Sequence, residues 1–140
     1  MDKVDTKTKL SALWLFMLLN IIFRDIHQLA MKSYLEMLLS GASKSGTPIT
    51  DDLMLIVGFV IEIPIAMVLF SLLLTRRILR PVTFVAVIIT AVGLVSSAPS
   101  DKDDIFFLVI ELAVIAGIVW TVWTWRGPAA SDSGGLRGER

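Results

Sequence analysis

Six residues in this chain carry side chains that could do chemistry within an otherwise apolar sequence: Asn20, Arg24, Asp25, His27, Glu62 and Glu111. Four of them fall in the stretch "NIIFRDIHQ", residues 20–28. On a helix, Asn20, Arg24 and His27 follow an i, i+4, i+7 spacing and share one stripe, with Asp25 about a quarter turn away beside Gln28. Glu62 lies in "VIEIPIAM", two residues before Pro64. That proline lacks the N–H for Val60 and its ring presses on the preceding turn, which predicts a kink beside the acid. Glu111 closes the set within "DDIFFLVIEL".

The chemistry open to such a set follows from its charges. The planar fork of Arg24 can hold a carboxylate through two hydrogen bonds, and both Glu62 and Glu111 suit it as partners. Three carboxylates against one Arg and one His leave negative charge in excess, so the cluster must also hold a proton or a cation. Three kinds of work fit. The favoured one is a cavity that binds or transports a small polar or amphipathic molecule, with proton coupling through Glu62 or Glu111. The second is a structural or accessory subunit whose buried ion pairs only fix helix register. The third is an enzyme in which Asp25, His27 and the carboxylates act as general acid and base on a lipidic substrate. His27 with carboxylates is a nonspecific set for a transition metal. With no cysteine in the chain, thiolate nucleophiles and Cys-based metal sites are absent. No metal and no cofactor is expected.

The elements that must position these residues are membrane spans. Of 140 residues, 55% are hydrophobic and only 19% charged, a balance that soluble domains of this size rarely show. Formal net charge is zero and the basic residues are scattered, so there is no footprint for nucleic acid. A helix needs about 20 apolar residues to cross a hydrocarbon core of about 30 Å. Four segments meet that length, at about 10–30, 53–74, 81–98 and 104–125. Lys3, Lys7 and Lys9 ahead of the first also suit a secretory signal, but no small-residue cleavage pattern follows Phe23 and charges follow at once. Pro81 is well placed to open the third span. Ser100 and Asp103 have capping-box spacing before the fourth.

Lys and Arg set the orientation. Lys3, Lys7 and Lys9 precede the first span, Arg76, Arg77 and Arg80 lie between the second and third, and Arg126, Arg137 and Arg140 follow the fourth. Only Lys32, Lys44 and Lys102 lie in the other connections, so both termini are expected in the cytoplasm. Trp14, Trp120, Trp123 and Trp125 would form an inner aromatic belt, with Tyr34, Phe106 and Phe107 marking the outer side. At about 1.5 Å per residue, Asn20 and Glu62 reach mid-depth, and Arg24, Asp25, His27 and Glu111 lie in the outer half. Charge in hydrocarbon is costly, so these groups should face one another in a polar cavity between spans one, two and four, open to the outside.

The connections complete the picture. "MKSYLEMLLSG" places Met31, Tyr34, Leu35 and Leu38 on one face, an amphipathic helix on the outer surface or prolonging the first span, ended by Gly41. "ASKSGTPITDD" reads as a loop with Thr50 as N-cap of the second span. Ala86, Thr90 and Gly93, with Ala113 and Gly117, offer small residues for close helix packing. Residues 1–126 thus read as one four-helix transmembrane domain, and the Gly-rich 127–140 as a disordered cytoplasmic tail. The expected fold class is all-α, a transmembrane four-helix bundle. Its partners are the bilayer and a small-molecule or lipidic ligand, and four short helices enclose so little volume that a homo-oligomer also fits.

Four stretches, "LLNIIFRDIHQ", "VIEIPIAMVL", "DDIFFLVIEL" and "WTVWTWR", together resemble a family of small bacterial four-span integral membrane proteins of unknown function. The likeness covers about Lys9 to Arg126. It implies a bacterial inner-membrane location and carries no activity with it.

Overall fold

A computed structural model describes residues 4–43, 46–96 and 102–125. Five helices follow in order: α1 (Thr6–Leu29), α2 (Lys32–Leu39), α3 (Asp51–Leu73), α4 (Arg76–Ser96) and α5 (Lys102–Thr124). The architecture is an all-α bundle, and α1, α3, α4 and α5 are each long and apolar enough to cross a membrane. The shortest of these, α4, has 21 residues and so spans about 32 Å.

The four long helices close into a ring. α1 packs on α3 and on α5, and α4 packs on both from the far side. Ser11 donates to the Val68 carbonyl at 2.8 Å and Lys7 to the Leu72 carbonyl at 3.4 Å, so α1 and α3 run antiparallel. At that same end the Arg76 guanidinium donates to the Trp125 carbonyl and lies over the Trp125 ring, 5.8 Å from its centroid. This contact ties the start of α4 to an orphan carbonyl just past the end of α5. Leu55, Phe59 and Leu69 of α3, Val85 and Val95 of α4, and Phe106 and Val109 of α5 all point outward. A helix whose middle is apolar on every side but for one acid, as that of α3 is with Glu62, has no broad face suited to water and belongs in hydrocarbon.

The core is uneven along the bundle axis. At the Arg76 end, Leu10, Trp14 and Met17 of α1 are fully buried with Leu79 of α4 and Ile118 and Val122 of α5. Trp14 therefore belongs to the core, a correction to the interfacial belt expected for it: Leu10, Trp14, Met17 and Ile21 form the inward stripe of α1. Trp120 and Trp123, each 71% exposed, do face outward.

Local chemistry sets the helix ends. Ile78 and Leu79 donate backbone N–H groups to the Thr75 carbonyl at 3.0 and 2.8 Å, so α4 starts at Arg76 and not at Pro81. Pro81 then sits in the second turn, where it removes one backbone donor without ending the helix. α3 likewise runs on through Pro64, whose ring is buried. Thr50 caps α3 as its side chain accepts from Leu53 N at 3.3 Å. Met31, at φ −87° and ψ 120°, separates α2 from α1, and α2 packs back on α1. Gly41 follows α2 at φ +77°, a left-handed conformation that glycine adopts without steric cost. Gly93 permits a close approach, since a Cβ there would come within 3.0 Å of Val60 Cγ1. Ala113, by contrast, is exposed and takes no part in packing. Ser100 of the expected Ser100–Asp103 cap, Ser97 and Ala98, and the 127–140 tail lie outside the described residues.

Candidate functional site

At the end of the bundle that carries α2, the last turns of α1 face the first turns of α5 through a run of polar contacts. Arg24 Nη1 donates to Glu111 Oε2 at 3.0 Å, and Arg24 Nε lies 3.7 Å from Asp25 Oδ1. One turn further, Gln28 Nε2 donates to Asp104 Oδ1. His27 Nε2 sits 3.3 Å from Asp103 Oδ2 nearer the surface. Arg24 and Gln28 are i, i+4 on α1, and Asp104 and Glu111 are i, i+7 on α5, so each pair shares a stripe aimed at the other helix. The Phe107 ring flanks the run, 6.1 Å from Phe23 and 6.4 Å from His27 between centroids.

Burial makes these contacts consequential. Glu111 is fully buried, and the side chain of Arg24 is only 11% exposed. One Glu111 oxygen takes the guanidinium, while Oε1 is buried with no hydrogen-bond partner. A carboxylate withdrawn from solvent in this way depends on its one charged partner. Asp104 is also buried, at 6% exposure.

Beside this run lies a cavity of about 720 Å³. Arg24, Asp25, Gln28, Tyr34 and Asp104 make one end of it polar. Its walls are apolar: Val57, Val60 and Ile61 from α3, and Ile88, Ile89 and Val92 from α4. Tyr34 comes from α2, outside the spans. Burial pushes its phenol pKa up, Asp25 and Asp104 add to the shift, and Arg24 opposes it, so it remains a neutral O–H group. Thr90 of α4 also lines the cavity, and its buried hydroxyl has no partner.

Of the six residues read as chemically capable, Arg24, Asp25 and Glu111 come together, with His27 beside them. Asn20 turns its amide to its own helix, donating to the Phe16 carbonyl at 2.9 Å. Glu62 does not meet Arg24, a correction to one of the two pairings left open: its residue is exposed on α3. The inward stripe of α3 is Pro64, Met67 and Ser71, and Glu62, two residues before Pro64, lies about 200° round the helix from it. Gln28, read only as the neighbour of Asp25 on the stripe, joins the site, and Tyr34, Asp103 and Asp104 join it without having been read as part of it. The i, i+7 spacing of Asp104 to Glu111 was the available signal. It was masked because an Asp in the first turn of a helix has an ordinary reading as a partner for the helix dipole. Among the described residues no group of three or more His, Asp or Glu side chains gathers as a metal site would need.

Comparison with known proteins gives a family and no activity. The model of a family described as a family of unknown function (DUF6326) matches residues 2–131. No curated protein and no solved structure matches the chain.

Proposed function

The chain belongs to DUF6326, a family of unknown function, and from that premise we propose that it is a multi-pass membrane protein that binds or transports a small amphipathic molecule in the cavity beside Arg24. The supporting observation is the cavity itself. Its volume of about 720 Å³ falls within the usual range for small-molecule sites, about 300–1,000 Å³. Its charged groups come from α1 and α5 and the apolar walls named above from α3 and α4, which is how an amphipathic ligand would be oriented. A bundle held only by register-fixing ion pairs would have no reason to keep this space unfilled, since helices in lipid associate through close packing. His27 and Asp103, the pair best suited to general acid–base work, are not among the residues lining the cavity, which disfavours the enzymatic reading.

The test is native mass spectrometry of the protein released from detergent. Wild type is expected to carry a bound small molecule, and Val57→Trp, which narrows the cavity from α3, is expected to carry much less. A wild-type spectrum free of any adduct would refute the proposal.

We further propose an inner-membrane location with both termini cytoplasmic and the cavity toward the outer face. Arg76, Arg77 and Arg80 gather at the end opposite the cavity, as the excess of positive charge on cytoplasmic loops requires. The chain has no cysteine, so single-cysteine labelling is direct. Asp52→Cys should react with a membrane-impermeant maleimide in intact cells and Arg77→Cys only after permeabilisation. The reverse pattern would invert the orientation.

A further inference from the structure

The charge around the cavity selects among amphipathic ligands. The groups facing it include one cation, Arg24, and two carboxylates, Asp25 and Asp104. The Arg24 charge is already shared, 3.0 Å from buried Glu111 and 3.7 Å from Asp25. Among the described residues, the other cations at this end are His27, 3.3 Å from Asp103, Lys32, 3.5 Å from Glu36, and Lys102, exposed at the start of α5 and outside the cavity lining. One guanidinium therefore stands among three carboxylates, Glu111 and Asp104 buried and Asp25 half-exposed, beside walls of Val, Ile and Leu where low polarity strengthens an excess of one charge. An anionic head would meet net repulsion at this end, and a neutral one would leave the imbalance in place.

A second observation comes from Thr90, only 4% exposed. Ser71, Thr83, Thr121 and Thr124 each return their hydroxyl to the carbonyl four residues earlier, at 2.6 to 2.7 Å. Thr90 makes no such bond, and its buried hydroxyl lines the cavity without a partner. Buried hydroxyls are normally satisfied, and one left open on a cavity wall is placed to meet what enters.

We infer that the ligand is an amphipathic organic cation, an amine or onium head on an apolar body, seated with its charge near Asp25 and Asp104 and its apolar part between α3 and α4. The inference rests on the binding function proposed above and narrows it to one ligand class. Tyr34 adds a phenol ring on the lining to which a desolvated cation is attracted.

Two ions of nearly the same shape and opposite charge test it: tetraphenylphosphonium and tetraphenylborate, each alone, by equilibrium dialysis against purified protein in uncharged detergent with a matched micelle blank. Wild type should retain the phosphonium above the blank and not the borate. Asp25→Asn with Asp104→Asn should cut phosphonium retention by about tenfold or more. If the double variant does not fold, Asp25→Asn alone, at a half-exposed side chain, should still lower retention. Retention of the borate that is lost in Val57→Trp would keep the cavity as a binding site and overturn the cationic class. Equal retention of both ions, or phosphonium retention indifferent to Asp25→Asn, would also overturn it. If neither ion is retained and wild type carries no adduct in native mass spectra, the binding function falls as well.

Discussion

Arg24→Met should destabilise the bundle by about 3–5 kcal/mol, and adding Glu111→Leu should restore most of that loss. The reason is the asymmetry of the pair. Glu111 is fully buried and already has one oxygen without a partner, so removing the guanidinium strands both oxygens in an apolar interior. Arg24 is less dependent on Glu111, because Asp25 lies 3.7 Å from its Nε. Glu111→Leu alone should therefore cost less than Arg24→Met alone. Unfolding in mixed micelles, followed by circular dichroism across the four proteins of this cycle, gives the coupling directly. Losses that simply add would mean that the 3.0 Å contact contributes nothing to the fold.

That pair also marks how far the sequence could be read. The four long apolar helices were legible because length and apolarity alone define them. The convergence of Arg24, Asp25 and Glu111 was legible because charge in hydrocarbon must find a partner. What composition could not supply was rotation. Apart from Glu62 the middle of α3 is apolar on every side, so no amphipathic stripe fixed which way that acid would face, and its depth alone suggested a meeting with Arg24 that the helix turns away from. α1 was ambiguous in the same manner at Trp14: a tryptophan one or two turns inside a span suits an interface and a core equally until its neighbours are known. Asp104 failed for another reason, since the local role of an acid at a helix start hid its longer-range role opposite Gln28. Pro81 shows the limit of punctuation signals, because hydrogen bonds to the Thr75 carbonyl begin the helix well before the residue that looked like its first.

Trp14 supplies the second large effect. Trp14→Ala should cost about 3–5 kcal/mol, while Trp14→Phe should cost far less. In lipid, expelling an apolar side chain from water contributes little to packing between helices, so what a core residue supplies is contact. Trp14 is fully buried and belongs to the solid end of the core with Leu10, Met17, Leu79, Ile118 and Val122. Alanine would leave a void where these side chains now meet, and four helices closed in a ring cannot all move inward to fill it. Phenylalanine would keep most of the contact and would also remove the indole N–H, which is buried without an acceptor. An interfacial anchor predicts another order, with Phe and Ala both nearly neutral for the folded bundle because the lost contacts would be with headgroups. Denaturation midpoints of the two variants in the same mixed micelles separate the cases. A Trp14→Ala protein as stable as wild type would mean that the solid end of the bundle is not held together by Trp14.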